Sequence, residues 1–266
     1  MTKLNSNKKT PASVTEHNKN AWDKYVDEER SWTVPVSKEA IALARKGEFS
    51  LSLGADGIVP RNWFPEDFQG KKVLCLACGG GQQAPILAAV GADVTVMDIS
   101  PKQLAQDLKV AERESLKIKT VQGDMRELSM FKDGDFDIVF CPVSITYIPE
   151  LTAFYAEAYR VLVNGGIFML GAPNPAIYLF DGDLWEQGIY QISNSLPFNS
   201  LDELDDEQAK QFIEEGRAME YSHTLSSIIG GQIAAGFVID GFYEENLNEG
   251  LSDYMQDCFA TRSRKL

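Results

Sequence analysis

The sequence predicts an α/β fold: a doubly wound, mostly parallel sheet with helices on both faces. Three observations carry this. Strand-length apolar runs alternate with helix-period segments five times between residues 72 and 170. The first run, K-V-L-C-L-A, is apolar without alternation, as a strand buried on both faces should be. It ends in C-G-G-G (78–81), a glycine turn of the kind that lies between a strand and a helix.

Residues 1 to about 14 are polar and expected to fray. In A-W-D-K-Y-V, Trp22, Tyr25 and Val26 share one helical face. A second helix fits S-K-E-A-I-A-L-A-R-K-G, with Ser37 as N-cap and Gly47 just past the end. P-R-N-W-F-P then leads into the alternation. After the first strand (72–77), Q-Q-A-P-I-L-A-A-V is a helix with Pro85 in its first turn, stopped by Gly91. D-V-T-V-M-D (93–98) is the second strand. Ser100-Pro101 opens a helix through Leu116 that carries Leu104, Leu108 and Ala111 on one side. I-K-T-V-Q and F-D-I-V-F-C (136–141) are the third and fourth strands. L-T-A-F-Y-A-E-A-Y-R-V-L-V is a helix closed by Asn164-Gly165, and G-I-F-M-L is the fifth strand.

After Gly171 the pattern breaks for about fifty residues. Residues 172–221 therefore read as a cap inserted over the C-terminal edge of the sheet, where crevices lie in open α/β folds. A helix resumes at H-T-L-S-S-I-I-G-G-Q-I-A-A and ends at Gly236. F-V-I-D-G-F-Y and Y-M-Q-D-C-F-A-T-R are the last two strands. The expected organisation is an N-terminal helical lid segment, 1–69, and a domain, 70–266, carrying the cap 172–221.

The 266 residues carry a formal net charge of −14 and four cysteines. That charge disfavours nucleic acid and any polybasic membrane contact. No apolar run has the length of a membrane span, and M-T-K-L-N-S-N-K-K-T is followed by no signal-like apolar segment. The cysteine usage points to reduced thiols and a cytoplasmic location.

What must approach the glycines so closely? A triphosphate loop would need Lys after its last glycine, and Gln82 and Gln83 stand there. A zinc site on Cys75 and Cys78 lacks partners in a chain with two histidines, so no metal is expected. Gly79-x-Gly81-x-x-Ala84, with Asp98 closing the next strand, satisfies a dinucleotide fingerprint. That pattern alone indicates only an adenosine-bearing ligand. V-Q-G-D-M at the third strand's end adds Gly123, with Asp124 for an adenine amino group and the Met125 N–H for a ring nitrogen.

This ordered set, with F-D-I-V-F and Y-R-V-L-V-N-G-G-I-F-M-L, resembles the class I S-adenosylmethionine-dependent methyltransferases, especially the small-molecule type related to ubiquinone and menaquinone biosynthesis. The resemblance covers about residues 70–171 most closely and extends to the C-terminus through G-F-V-I-D-G-F-Y-E. It implies a Rossmann-like, seven-stranded sheet with one antiparallel strand near the C-terminus, and S-adenosyl-L-methionine as cofactor. Gly79 and Gly81 would admit the ligand's backbone approach, with Ala77 and Cys78 on the same loop. Asp98 would accept both ribose hydroxyls, and Ile99 would pack on the adenine. Cys141 and Pro142 would line the methionine end. Gln82 and Gln83 either reach that end or merely begin the helix. Trp22 and Tyr25 either form a lid or dock their helix. His223 and Tyr147 are the candidates for a general base. The expected partner is a small-molecule acceptor, with a homodimer as an option.

Two positions depart from the family's pattern, which has an acidic residue where Cys75 stands and glycine where Ala77 stands. Ala77 is expected to hold φ below zero, or to leave a slightly wider approach. Two other classes compete: an NAD-dependent oxidoreductase, which leaves G-D-M unexplained, and a non-catalytic module that binds the same cofactor.

Overall fold

Ser13 and Ser37 start the first two helices, each accepting a backbone N–H three residues on, from Glu16 and Ala40. These are α1 (Val14–Asp27) and α2 (Lys38–Ala44). In the computed structural model, residues 13–54, 57–185, 187–202, 204–246 and 250–266 are described. The alternation follows as β1 (Lys72–Leu76), α3 (Gln83–Ala89), β2 (Asp93–Asp98), α4 (Pro101–Glu114), β3 (Ile118–Gln122), β4 (Phe136–Cys141), α5 (Thr152–Val161) and β5 (Leu162–Pro173). The segment after β5 holds two short helices, α6 (Gly182–Trp185) and α7 (Asp206–Glu214). The chain returns through α8 (Gly231–Ala234), β6 (Phe237–Glu245) and β7 (Cys258–Lys265).

The seven strands lie in the order β3-β2-β1-β4-β5-β7-β6. Strands β1 to β5 are parallel, and β7 runs antiparallel to both β5 and β6. Strand order reverses between β1 and β4, which opens a crevice beyond their carboxyl ends. Side-chain alternation along β1 feeds two separate cores. Val73 and Cys75 join Ile41, Leu87 and Leu104 on one face. Leu74 and Leu76 join Phe154, Tyr155 and Phe168 on the other. Both halves are fully buried, which is why the strand reads as continuously apolar.

Around α7 a small separate core forms from Leu201, Ala209, Phe212 and Met219. Helix α7 begins in a capping box formed by Asp205 and Gln208. Ala21 and Tyr25 of α1 pack on Ala218, so α1 is fastened to the segment that follows α7. No helix among the described residues is long and apolar enough to cross a membrane.

Five local expectations need correction. Helix α4 stops at Glu114, because Ser115 takes the left-handed conformation at φ 53°. Its buried face runs through Leu104, Asp107 and Ala111, while Leu108 is 47% exposed. Asn164-Gly165 does not close α5: β5 is already entered at Leu162, and the two residues lie in a register irregularity opposite Phe136 and Ile138. The last helix is shorter than its periodicity suggested, a wide turn over Ser226–Gly230 continued by α8, and Tyr254–Asp257 precede β7. A Cβ at Gly231 would lie 2.8 Å from the Tyr155 ring, so this helix can approach α5 only with glycine there.

Candidate active site

A cleft opens where β1, β2, β3 and β4 end. Its floor and walls are Ala77, Cys78 and Gly79 from the β1 loop, Gln82 and Gln83 at the start of α3, Asp98 and Ile99 after β2, Gly123–Met125 after β3, and Pro142–Ser144 after β4. Thr15, Asn18 and Trp22 of α1 also line it, with Trp32, Gly54, Gln103, Tyr147 and Ile148. Its free space, counted to the open mouth, is about 960 Å³, in the range of small-molecule clefts.

The glycine loop is held from below. The Gly79 N–H donates to Asp98 Oδ2 at 3.1 Å, and the Gly80 N–H to Asp107 Oδ2 at 3.2 Å. Gly80 and Gly81 sit at φ 116° and 72°. A Cβ at Gly79 would lie 2.6 Å from Gln103 Cβ and 3.0 Å from Asp98 Oδ2. The glycine is therefore needed by the loop's own packing as well as by any ligand above it. From above, Gly81 accepts the Val36 N–H at 3.0 Å, and Gln82 Nε2 donates to the carbonyls of Ser31 and Val34. Ala77 corrects the expectation for its backbone: φ is 45°, left-handed, with its N–H donating to Met97 O. The loop keeps the conformation that glycine would adopt freely and carries the strain of a methyl group.

Asp98 Oδ1 accepts the Ser100 N–H at 2.9 Å, so both oxygens serve the protein, while the residue also lines the cleft. Burial pushes this carboxyl up to about 6, against the opposing pull of the Ser100 and Gly79 N–H groups. Ser100 also caps α4, accepting the Gln103 N–H.

Asp124 is more heavily engaged. Its Oδ1 accepts from Arg126 N and Nε, and its Oδ2 from Arg126 Nη2 and Thr15 Oγ1. Burial would raise its pKa, but the Arg126 guanidinium holds it below the usual carboxylate range.

Not every expected residue reaches the cleft. Cys141 lies fully buried behind Pro142, its Sγ 3.3 Å from Ser144 Oγ, and burial pushes the thiol up to about 12. Gly81 forms the back of its loop, against the Gln106 carbonyl and Pro35. Of the two aromatic candidates on α1, Trp22 lines the cleft edge-on to Tyr147, at 5.1 Å between ring centroids. Tyr25 is buried instead, its hydroxyl accepting the Ala218 N–H at 2.8 Å. His223 stands outside the lining, with Nε2 3.0 Å from Ile145 O, and burial lowers its pKa. Tyr147 does line the cleft, but burial raises its pKa well above the ordinary phenol value.

The Cys78 thiol donates to Gln83 Oε1 at 3.5 Å, and contact with Cys75 and burial keep it protonated. No cluster of metal-ligating side chains occurs among the described residues.

Sequence reasoning passed over Thr15, Asn18, Trp32, Gly54, Gln103, Val143, Ser144 and Ile148. A signal existed for the first two: positions 15, 18 and 22 fall on one face of α1. Val143 and Ser144 directly continue the Pro142 turn. Trp32 and Gly54 lie in irregular chain, where no periodicity points anywhere.

Among solved structures, an S-adenosylmethionine-dependent methyltransferase from Mesorhizobium loti shares the fold at a TM-score of 0.55 and 17% identity, over 77% of this chain and 95% of that one. A family model described as "Methyltransferase domain" matches residues 74–170. An uncharacterized methyltransferase of Bacillus subtilis, YbaJ, is 44% identical over 254 residues, 96% of this chain and 99% of that protein. The chain belongs to the class I S-adenosylmethionine-dependent methyltransferases.

Within this family, a ubiquinone biosynthesis O-methyltransferase of Psychrobacter arcticus is 32% identical over 115 residues, 42% of this chain and 45% of that protein. The methyltransferase thus uses S-adenosylmethionine as its methyl donor. Its cleft suits such a group: the Gly79 backbone is bare of side chain, and the Asp98 carboxylate closes one wall. Methyl transfer from a sulfonium requires neither a metal nor a covalent enzyme intermediate.

Proposed function

We propose that this methyltransferase acts on a small-molecule acceptor, with the cofactor lying across the ends of β1 to β4. The observation that carries the reading is the convergence of Gly79, Asp98, Asp124 and Pro142 on one cleft from four strand ends. In this reading Asp98 accepts the two ribose hydroxyls and Gly79 lets the ligand lie against bare backbone. Ile99 and Met125 flank the adenine.

Asp124 is already paired with Arg126 and Thr15, so its part is to fix the Gly123–Met125 turn, leaving the Met125 N–H as the adenine contact. Pro142, Ser144, Tyr147 and Trp22 surround the reacting end. Tyr147 keeps its proton and serves there as a hydrogen-bond donor. The bound cofactor supplies an activated methyl group. The chain's share is to align an acceptor with it, an effect worth roughly 7–11 kcal/mol when orientation is complete.

A small acceptor is supported by the covering of α1 over the cleft and by the net charge of −14, which opposes nucleic acid. The relative named for ubiquinone biosynthesis points the same way. The four cysteines are all buried and free, which supports a reducing, cytoplasmic setting. Calorimetry with S-adenosylhomocysteine and with NAD tests the cofactor site, and S-adenosylhomocysteine release in a fractionated metabolite mixture tests the acceptor class. Binding of the first ligand alone, with release tracking a low-mass fraction, is expected. Release only with the macromolecular fraction would overturn the small-molecule reading.

A further inference from the structure

The acid that the family carries within its first strand is absent here: Cys75 occupies the position, fully buried. A carboxylate nevertheless reaches the glycine loop, from the opposite side. Asp107 on α4 is fully buried, and its Oδ2 shares the Gly80 N–H, at 3.2 Å, with the Gln103 carbonyl at 3.1 Å. Its Oδ1 has no hydrogen-bond partner. The loop is tightly seated there, since a Cβ at Gly81 would lie 2.9 Å from the Gln106 carbonyl. Over the loop's other side lie the Trp32 backbone and Pro35. Asp98 and Asp107 thus hold consecutive N–H groups, Gly79 and Gly80, of one loop.

We propose that Asp107 is a positioning residue for the cofactor, standing in from α4 for the acid missing at Cys75, and that cofactor affinity depends on the charge of its carboxyl. The ionised form makes charge-assisted bonds to the loop N–H groups and holds Gly80 and Gly81 in their left-handed conformation. The protonated form accepts the same bonds more weakly, and the loop then loses the shape the ligand requires.

The groups facing Asp107 are Asp98 at the end of β2, which opposes its ionisation, and the protonated Cys78 thiol after β1. On α4 itself, Lys109 is turned to Gln106 Oε1. Burial leaves Asp107 titrating near 8, within reach of experiment.

This proposal rests on the cleft being the cofactor site, and Asp98→Ala in the same titrations tests that separately. S-adenosylhomocysteine affinity is measured by calorimetry from pH 6.5 to 9 for the parent, Asp107→Asn and Asp107→Glu, with folding of each verified by near-ultraviolet circular dichroism. The ligand's own amino group titrates identically in all of them, so the difference between proteins is the readout. Parent affinity should rise about three- to tenfold more than that of Asp107→Asn across this range. Asp107→Glu, which keeps the acid, should retain a pH dependence. Parallel profiles for parent and Asp107→Asn would overturn the proposal. So would an unfolded Asp107→Asn accompanied by a folded Asp107→Glu whose profile is flat, since the acid would then serve folding alone.

Discussion

Asn18 and Met219, 201 residues apart, exchange two hydrogen bonds: Asn18 Nδ2 donates to Met219 O at 3.0 Å, and the Met219 N–H donates to Asn18 Oδ1 at 2.8 Å. A side chain of α1 here satisfies the Met219 backbone as a neighbouring strand would. The same Nδ2 also donates to Tyr147 O, on the cleft wall. Asn18 is 1% exposed, so water cannot replace it.

Asn18→Leu should therefore be costly despite its apolar surroundings. Three backbone groups, two buried and one half-buried, would lose their partner, at about 1–3 kcal/mol for each buried one before relaxation. A net destabilisation of roughly 2–5 kcal/mol is expected from urea unfolding. A loss below about 0.5 kcal/mol would mean that Asn18 does not fasten α1 to the segment around Met219.

Asp98→Ala tests the ribose contact. Two charge-assisted bonds would go, each worth roughly 1.5–3 kcal/mol, and water would recover part. A net loss of about 1.5–4 kcal/mol, ten- to a thousandfold in affinity for S-adenosylhomocysteine, is expected. The ribose does not change charge in the reaction, so KM for the cofactor should rise with kcat nearly unchanged. Unaltered affinity would reduce Asp98 to a support for the loop and for Ser100.

Ala77→Gly should relieve the left-handed strain at φ 45°. The strain is worth about 1–2 kcal/mol, and the extra freedom of glycine in the unfolded chain removes about half of that. The variant should be more stable by up to about 1 kcal/mol, with cofactor binding preserved. A destabilised variant would show that the methyl group's packing outweighs its strain.

The pH dependence of the ligand-free protein follows from Asp98 near 6 and Asp107 near 8, both raised by burial from 3.8. The folded state then holds more protons than the unfolded chain between about pH 4 and 8, so stability falls as pH rises through that window. Asp107 governs the upper part. From pH 6 to 8 the parent should lose roughly 1–2 kcal/mol relative to Asp107→Asn in urea titrations. Equal slopes would mean that Asp107 is ionised throughout.

Much of the fold was legible because β1, β2 and β4 are buried on both faces and so read as apolar runs with glycine or helix caps beyond them. The antiparallel end of the sheet was read from the family resemblance, and it is present as β7 between β5 and β6. The cleft's strand-end residues were legible for a related reason: turns at strand ends carry distinctive residues, such as Gly79, Asp98 and Pro142. What escaped was set by tertiary contact. Leu108 has the right spacing for a buried face, but the glycine loop rests on Asp107 and turns α4 accordingly. The left-handed Ala77 breaks a local preference that only the surrounding loop can impose. Nothing near residue 32 announces that Trp32 will border a cleft built from residues 77 to 148.

The fastening of α1 has a consequence for the order of events during synthesis. His17, Asn18 and Tyr25 find their partners at Arg217, Met219 and Ala218, about two hundred residues later. At roughly 5–20 residues per second, α1 leaves the ribosome some 10–40 s before the segment that fixes it exists. Through that interval Ala21, Trp22 and Tyr25 lack the Ala218 segment they pack with, and the glycine loop forms beside a helix not yet anchored. The first helix to be made is among the last to be secured, so a nascent chain ending before residue 217, which also lacks β6 and β7, should bind cofactor only weakly.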